Sequence, residues 1–306
     1  MKRLARFLLY YIAGLIGILI VSSAPILFQP TYLFNVSAFL NQFISLTKAL
    51  IQPDSWTYFY LDREVSVFSM LWNPYLYSIR IFVSAIILGF LVAFIVAIIT
   101  LFLPKIAMQS IKRLLGLLES IPDLMVAFLL QLGIVMIFQH TDTLLMRFVT
   151  LGDERIYLAP IVVLSFLPMV SLYRILILLI EEELIKDYVE LARSKGIRQS
   201  FILVKHVLRN IMKSVFYQSK IIVWTTLSSL FVIEYMFNIN GISSYVLEDF
   251  RSIVLAVVLW MIFTPLFLLY QGVEIFVFNE SYDSHPVASV KQKKRWQTLK
   301  QLGARK

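Results

Sequence analysis

The sequence has no cysteine and only three histidines among its 306 residues. The absence of cysteine excludes disulfide frameworks and thiolate metal sites. His140, His206 and His285 are scattered, and none has a partner at the spacing of a metal site. The GxxxxGK[ST], HExxH and GxSxG motifs are also absent. We therefore predict that the chain binds no cofactor and has no catalytic centre of its own.

Charged residues are scarce as well, at 15% of the chain, whereas 59% of the residues are hydrophobic. The mean hydropathy of +0.79 is far above that of a soluble domain. A membrane interior about 30 Å thick requires roughly 20 apolar residues per helix. Runs of this kind predict an all-α membrane protein with six transmembrane helices, near residues 7–28, 81–103, 114–138, 156–180, 217–237 and 253–278.

The first apolar run follows Lys2, Arg3 and Arg6, as the apolar core of a secretory signal would. It is longer than such a core, and Pro25 directly after the small residues 22–24 makes a poor cleavage site. We therefore interpret this run as a retained transmembrane helix.

The net charge of +9 is distributed unevenly along the chain. Of the 28 Lys and Arg residues, 20 lie in the N-terminal tail, in 104–113, in 181–216 and in the C-terminal tail. Because basic residues concentrate on the cytoplasmic side of membrane proteins, both termini are predicted to be cytoplasmic. The basic tail at 281–306 then fits the inner leaflet surface. No nucleic-acid-binding motif accompanies the charge, so we expect no nucleic acid partner.

The predicted spans divide the chain into a tail with the first span (1–28), an extracytoplasmic loop (29–80), a core of five spans (81–280) and the basic tail (281–306). Within the loop, apolar residues recur at helical spacing over 36–51, which predicts an amphipathic helix. The following WTYFYLDREVSVF is compatible with a short hairpin around Asp62-Arg63.

Ionisable residues near the span ends are candidates for a gate or a solute pathway. Glu119 and Asp123 flank Pro122 at the start of the third span, and Glu234 lies near the end of the fifth. For Glu119 and Asp123 the alternative is pairing at the membrane interface, and for Glu234 it is a structural hydrogen bond, which we favour. Prolines inside the third and fourth spans indicate a packed bundle with a polar interior.

The charged stretch DYVELARSKGIRQSFILVKHVLRN at 187–210 separates two long apolar runs. Its pattern predicts a helix that ends at Gly196, which can adopt the left-handed conformation of a helix C-cap. A second helix is predicted to follow, so that the segment forms a helix-turn-helix on the cytoplasmic side. The predicted apolar faces are Leu184, Tyr188, Leu191 and Ala192 before the glycine, and Phe201, Val204, Leu208 and Ile211 after it.

Three parts of this stretch resemble the EAA loop of binding-protein-dependent ABC importer permeases, and their sequence is most similar to the oligopeptide and dipeptide branch. They are Glu190-Leu191-Ala192, Gly196 four residues after Ala192, and the run HVLRN at 206–210. The SIP at 120–122 and IEYMFNINGI at 233–242 also resemble family segments. The chain departs from the family pattern at Leu191 in place of alanine and at Arg209 and Asn240 in place of proline.

The resemblance implies a permease subunit in a bacterial plasma membrane, which forms half of an import pathway for peptides or similar solutes. It implies a second permease subunit, two ATPase subunits that bind ATP and magnesium, and an extracytoplasmic substrate-binding lipoprotein as partners. The residues implied to contact the ATPase are Glu190, Ala192, Arg193, Lys195, Gly196 and Arg198. Two alternatives remain open at this point, namely an ion-driven carrier that acts alone and a membrane anchor without transport activity.

Overall fold

The computed structural model describes residues 2–29, 32–52, 56–60, 63–143, 146–147, 149–150 and 154–276. The predicted basic tail at 281–306 lies outside these residues. Helices dominate the described chain, and they are α1 (Lys2–Ser23), α2 (Val36–Ile51), α3 (Val67–Phe102), α4 (Lys105–Leu118), α5 (Asp123–Thr141), α6 (Leu158–Leu184), α7 (Asp187–Ser194), α8 (Gln199–Phe201), α9 (Leu208–Met236), α10 (Ile242–Glu248) and α11 (Ser252–Phe276).

Two short antiparallel pairs of strands lie between α1 and α3. Strand β1 (Phe28–Gln29) pairs with β2 (Tyr32–Leu33), and β3 (Thr57–Tyr60) pairs with β4 (Arg63–Ser66). The second pair is the hairpin that the sequence suggested, with Tyr60 opposite Arg63. Helix α2 has the bounds predicted from its apolar spacing, and the side chain of Asn35 caps its first turn.

Among the described residues, six helices are long and apolar enough to cross a membrane, as predicted. They comprise Leu4–Leu27, Val67–Phe102, Leu124–Thr141, Leu158–Leu184, Gln199–Met236 and Ser252–Ile275. The predicted start of the second span at residue 81 is wrong, because α3 begins at Val67 and continues through Pro74. The predicted start of the fifth at 217 is wrong as well, since the helix runs without a break from Gln199.

The third span also differs from its prediction at 114–138, because the structure divides this region into α4 and α5. The break falls at residues 119–122, between Leu118 and Asp123. Pro122 has no backbone N–H to donate, and its ring disfavours a helical conformation at Ile121. Helix α4 therefore ends before the proline, and a new helix begins after it.

Helix α6 is the centre of the bundle, and it packs against α3 and α9. Its contact with α3 follows a row of small buried residues, Ala85, Gly89, Ala93 and Ala97, which recur every four positions. A Cβ atom at Gly89 would lie 2.7 Å from the carbonyl oxygen of Ser165. The two backbones approach this closely because small side chains leave no bulk between them.

The hairpin is fixed to the turn between α10 and α11. Tyr58 is 1% exposed, and its hydroxyl donates to Oε2 of Glu248 at 3.1 Å. Arg251 donates from Nη2 to the carbonyl oxygen of Thr57 at 3.1 Å and to Oδ2 of Asp249 at 2.8 Å. Hydrogen bonding to Asp249 raises the pKa of Arg251. The described residues of this hairpin, which falls in the predicted loop, thus contact the core.

By their internal contacts the described residues divide into two compact units, one that includes 2–14 and 262–276 and one within Leu15–Met261. The features above belong to the second unit, apart from the ends of α1 and α11. In the first unit an aromatic cluster joins α1 to α11. Tyr11 lies between Phe263 and Phe267, and its hydroxyl is 3.2 Å from Oγ1 of Thr264.

Candidate functional site

The segment that resembles the EAA loop forms an elbow, defined here as residues 183–211. Helix α7 follows α6 after a two-residue turn and ends at Ser194, and Gly196, the residue after the C-cap Lys195, has a φ of 75°. The N–H of Ile197 donates to the carbonyl of Ala192 at 3.2 Å, a bond of the Schellman motif that closes helices at a left-handed residue. The predicted glycine C-cap is therefore confirmed.

The carboxylate of Glu183 holds the elbow together. Its Oε1 accepts hydrogen bonds from the hydroxyl of Tyr188 at 2.9 Å and from Nδ2 of Asn210 at 3.1 Å. Its Oε2 pairs with Nζ of Lys186 at 2.5 Å. Burial, followed by the hydrogen bond to Glu183, raises the pKa of the Tyr188 hydroxyl. One buried carboxylate thus joins the end of α6, the start of α7 and the start of α9.

Sequence reasoning missed Glu183, although a signal for it was present. Leu176, Ile180 and Glu183 follow one another at intervals of four and three residues, so they share one face of α6. That face is buried, and Glu183 itself is only 7% exposed. A carboxylate on the apolar face of a span requires hydrogen-bond partners, which the following charged segment supplies.

The apolar side of the elbow packs against the bundle, and its buried residues differ in part from those predicted. Val189 and Val207 are fully buried in one core with residues of α3 and α6. Leu191, Phe201 and Val204, which were predicted to lie on the apolar faces, are exposed. A π-helical turn at Ile202–Val207 accommodates an extra residue, and it rotates the buried face away from the positions that α-helical spacing predicts.

The residues predicted to contact an ATPase lie together on the outer side of the elbow. Glu190, Arg193, Lys195 and Arg198 are exposed, Gly196 lies at the tip, and Ala192 is half-buried behind them. Charged, exposed side chains on a rigid apolar base form a surface suited to a complementary protein groove. Their role as contact residues stays a prediction.

Glu234 is buried at the opposite end of α9 from the elbow. It is 1% exposed, and its Oε2 accepts hydrogen bonds from the N–H of Ser243, at 3.0 Å, and from the Ser243 hydroxyl. A Cβ atom at Gly241 would overlap this carboxylate, so glycine is the residue that fits there. The geometry agrees with the structural hydrogen bond that we favoured, because the carboxylate holds α10 against α9.

Glu119, the second predicted gate residue, is paired. Nη1 of Arg174 donates to both of its oxygens at 2.7 Å, which joins the end of α4 to α6. A second pair, Lys112 with Glu181, joins the same two helices. Between them lies a half-open cavity of about 490 Å³. The side chain of Asp123, the third candidate, lies outside the described residues.

Helix α9 exposes a polar stripe that sequence reasoning did not identify. On α3, by contrast, one exposed row at intervals of four residues, positions 83, 87, 91, 95 and 99, is aliphatic throughout, as expected of a surface against lipid. Intervals of four and three residues relate the members of the stripe, which are Ser214, Gln218, Ile221, Thr225, Ser228, Val232 and Tyr235. The hydroxyls of Thr225 and Ser228 donate to the carbonyls of Ile221 and Trp224 within α9, but the amide of Gln218 is costly against hydrocarbon, so this face is suited to water or to another protein.

Within the part of the chain that the structure describes, no group of three or more His, Asp or Glu side chains is placed to hold a metal ion. The arrangement instead joins a charged elbow to a bundle of apolar helices, and it contains two features typical of transport proteins. One is an exposed charged surface suited to a protein partner, and the other is a polar face within a span.

Comparison with known proteins agrees with this architecture. A segment of 93 residues is 33% identical to the dipeptide transport system permease protein DppB of Bacillus subtilis (strain 168). The match spans 30% of this chain and 30% of the length of that relative. Residues 85–276, which include α4 to α10 and the whole elbow, match the family described as binding-protein-dependent transport system inner membrane component. The chain is a multi-pass membrane protein and belongs to this family.

Proposed function

We propose that this chain is the permease subunit of an ATP-driven importer, in which it forms half of the pathway for peptides or similar small solutes. The observation that carries the proposal is the elbow, whose exposed charged face is tied through Glu183 to the central helix α6. ATP is hydrolysed on separate subunits, because the sequence contains no phosphate-binding loop.

A transmitted force requires a rigid connection, and the contacts around Glu183 supply one. Movement of α7 acts on the last turn of α6 through Tyr188 and Lys186, and on the first turn of α9 through Asn210. Because α6 packs along α3 and α9, a displaced elbow moves the bundle as a unit. This is the rigid-body kind of motion by which transporters alternate access.

The polar stripe of α9 is the surface that we assign to the solute pathway. The amide of Gln218 can donate to water or to a polar solute, and the hydroxyl oxygens of Thr225 and Ser228, whose protons bond to the carbonyls of Ile221 and Trp224, can accept from them. A single copy leaves this stripe exposed along one side, so a second permease subunit is needed to enclose it. The proposed assembly therefore contains two permease subunits.

The remaining partners follow from the same proposal. Two ATPase subunits contact the elbows on the cytoplasmic side, and a substrate-binding lipoprotein delivers solute on the other side. Basic residues cluster in the elbow and in α4, which supports a cytoplasmic orientation for both. The peptide class of the solute is supported by the name of the partial relative, which is a dipeptide permease.

An ion-driven carrier that acts alone is less well supported. Proton or sodium coupling in such a carrier requires acidic groups near the membrane midplane. In the described spans the acidic residues lie in the terminal turns, at Asp123, at 181–183, at Glu234 and at Glu274. The middle of each span offers no acid for proton or sodium coupling.

Photocrosslinking of the full-length chain in its native membranes tests the proposal. A photoreactive amino acid at Lys195 is expected to link the chain to a subunit that hydrolyses ATP. The matched control places the same amino acid at His140, which is exposed at the end of α5. A nucleotide-hydrolysing protein linked from Lys195 and not from His140 supports the proposal, and the absence of such a partner at Lys195 contradicts it.

A further inference from the structure

The cavity between α4 and α6 is bounded by two ion pairs that form a ladder. Lys112 pairs with Glu181, and Glu119 pairs with Arg174. On each helix the two charged residues are seven positions apart, which corresponds to about 10 Å along the helix axis. Because the helices run antiparallel, each rung contains one cation and one anion.

The space between the two rungs is apolar and accessible. Leu115, Tyr173 and Ile177 line it, and Gly116 exposes open space where a side chain would otherwise project. The four charged side chains are between 27% and 62% exposed, so a solute can reach them without unfolding the helices. A volume of about 490 Å³ is within the usual range for small-molecule sites.

The charged groups retain capacity for a ligand. Within the described residues, Arg174 uses only Nη1 for Glu119, which leaves Nε and Nη2 as donors. Lys112 binds only Oε1 of Glu181, which leaves Oε2 as an acceptor. A ligand with an ammonium group at one end and a carboxylate at the other can therefore bind one rung with each end.

We propose that this cavity is a binding site for short linear peptides with free termini. An extended chain advances about 3.3 to 3.6 Å per residue, so two or three residues cover about 7 to 10 Å and reach from one rung to the other. Side chains of the peptide then contact the apolar lining. An aminophospholipid head, whose phosphate and ammonium are only two carbons apart, engages a single rung.

The location gives such a ligand access to the elbow. Glu181 lies two residues before Glu183, and Tyr173 and Ile177 belong to the same apolar core as Val189 of α7. A peptide that bridges both rungs clamps α4 to the last turns of α6. The site is thus placed to sense imported peptide on the cytoplasmic side, a role that rests on the proposed function.

Binding is tested with the purified full-length chain in dodecyl maltoside, an uncharged detergent, by equilibrium dialysis of radiolabelled tri-alanine. Saturable binding is expected. N-acetylated tri-alanine and tri-alanine amide should each bind at least about tenfold more weakly, because each lacks one charge-assisted contact. Alanine, which reaches only one rung, should also bind weakly. Equal binding of free and blocked peptides would overturn the proposal.

Variants distinguish peptide binding at the ladder from nonspecific binding to the protein. Neutralisation of one rung by Glu119→Gln with Arg174→Gln should lower affinity about tenfold or more. The matched control is Arg147→Gln with Glu154→Gln, an exposed pair outside the cavity, which should have no effect. The exchange Glu119→Arg with Arg174→Glu keeps one cation and one anion at the rung. If the neutral variant binds weakly because the charges are lost, the exchanged variant should retain binding.

Steric closure provides a second test that leaves the charges in place. Gly116→Phe fills the cavity and should abolish binding, whereas Gly133→Phe, at another helical glycine with open space beside it, should not. Monodisperse elution of both variants confirms that they fold.

A lipid occupant is distinguished by competition with phosphatidylethanolamine. If this lipid displaces radiolabelled tri-alanine equally from the wild type and from the variant Glu119→Gln with Arg174→Gln, the cavity is a lipid site and the peptide assignment is contradicted. Because no ATPase is present, absent binding leaves the crosslinking result for the transport proposal unaffected.

Discussion

The hydroxyl of Tyr188 donates to Oε1 of Glu183 at 2.9 Å, so the first turn of α7 is bonded to the last turn of α6. The two residues are separated by a turn in which the chain changes direction, and Asn210 of α9 bonds to the same oxygen. Three helices therefore meet at one buried carboxylate. This arrangement makes the elbow a rigid extension of the bundle, and several predictions depend on it.

Glu183→Gln should uncouple the elbow from the bundle. The amide keeps the shape of the side chain but loses the charge-assisted bond to Lys186, whose half-exposed side chain screens the pair in part. We expect normal membrane insertion and at least tenfold lower transport-coupled ATP hydrolysis in proteoliposomes with the partner subunits. The matched control is Glu182→Gln, because Glu182 is exposed. Equal loss in both variants would contradict a specific role for Glu183.

Substitution of Gly196 should disrupt the tip of the elbow. A left-handed conformation costs an L-residue about 1 to 2 kcal/mol, and proline cannot adopt a φ of 75° at all. Gly196→Pro should therefore insert normally but abolish coupled ATP hydrolysis, with a smaller loss for Gly196→Ala. Gly133→Ala, in the middle of α5, serves as the control and should retain full coupling. Unchanged turnover of the proline variant would count against the coupling role.

Charge reversal on the exposed face tests contact without altering the backbone. Glu190 is exposed in the first turn of α7, so Glu190→Lys should leave the fold intact and weaken the ATPase contact. We expect less ATPase to co-purify with the variant, and a reduced crosslinking yield from Lys195. The reversal Glu182→Lys is the control, since it changes the same charge outside α7. Full co-purification of the Glu190 variant would exclude this residue from the interface.

The orientation and the pathway can be tested by labelling, because the chain has no native cysteine. Single cysteines at Lys195 and Arg198 should react with a membrane-impermeant maleimide only when the cytoplasmic face is accessible. Modification of either position from outside in intact cells would reverse the proposed topology. A cysteine at His140 should show the opposite accessibility, since α5 crosses the membrane once between the elbow side and this end.

A water-filled pathway along α9 predicts a difference between two exposed positions within spans. A cysteine at Ser228 should react with a small water-soluble thiol reagent in the assembled complex, whereas one at Ile95 on α3 should not. The reason is that thiolates form in water and not in lipid, and Ile95 belongs to an aliphatic face. Equal reactivity at both positions would remove the distinction between a pathway face and a lipid face.

The docking of the hairpin should depend on pH through Tyr58. Burial and the hydrogen bond to Glu248 raise the pKa of its hydroxyl above the ordinary value of 10. The folded state therefore favours the protonated phenol, so its contribution is complete below about pH 10 and is lost as pH rises towards the raised pKa. Trypsin cleavage near Arg63, followed from pH 8 to 11, should accelerate only above pH 10. Tyr58→Phe should remove this pH dependence.

Much of the fold follows directly from the sequence pattern. The six spans, the helix at 36–51, the hairpin and the glycine at the tip of the elbow all appear where apolar spacing or backbone chemistry requires them. The predictions that were wrong concern segments whose apolar pattern fits more than one structure. An apolar run through Pro122 looks continuous although the helix breaks, and α-helical spacing fails through the π-helical turn at Ile202–Val207.

The sequence by itself determined how many helices can cross a membrane, because transfer of apolar surface from water depends on composition and length. It also determined where the chain turns at Gly196, since a left-handed conformation is a local property of the backbone. Only the tertiary structure decided which polar groups meet. Glu183 with Asn210 and Glu119 with Arg174 are 27 and 55 residues apart, and helix packing alone brings each pair within hydrogen-bond distance.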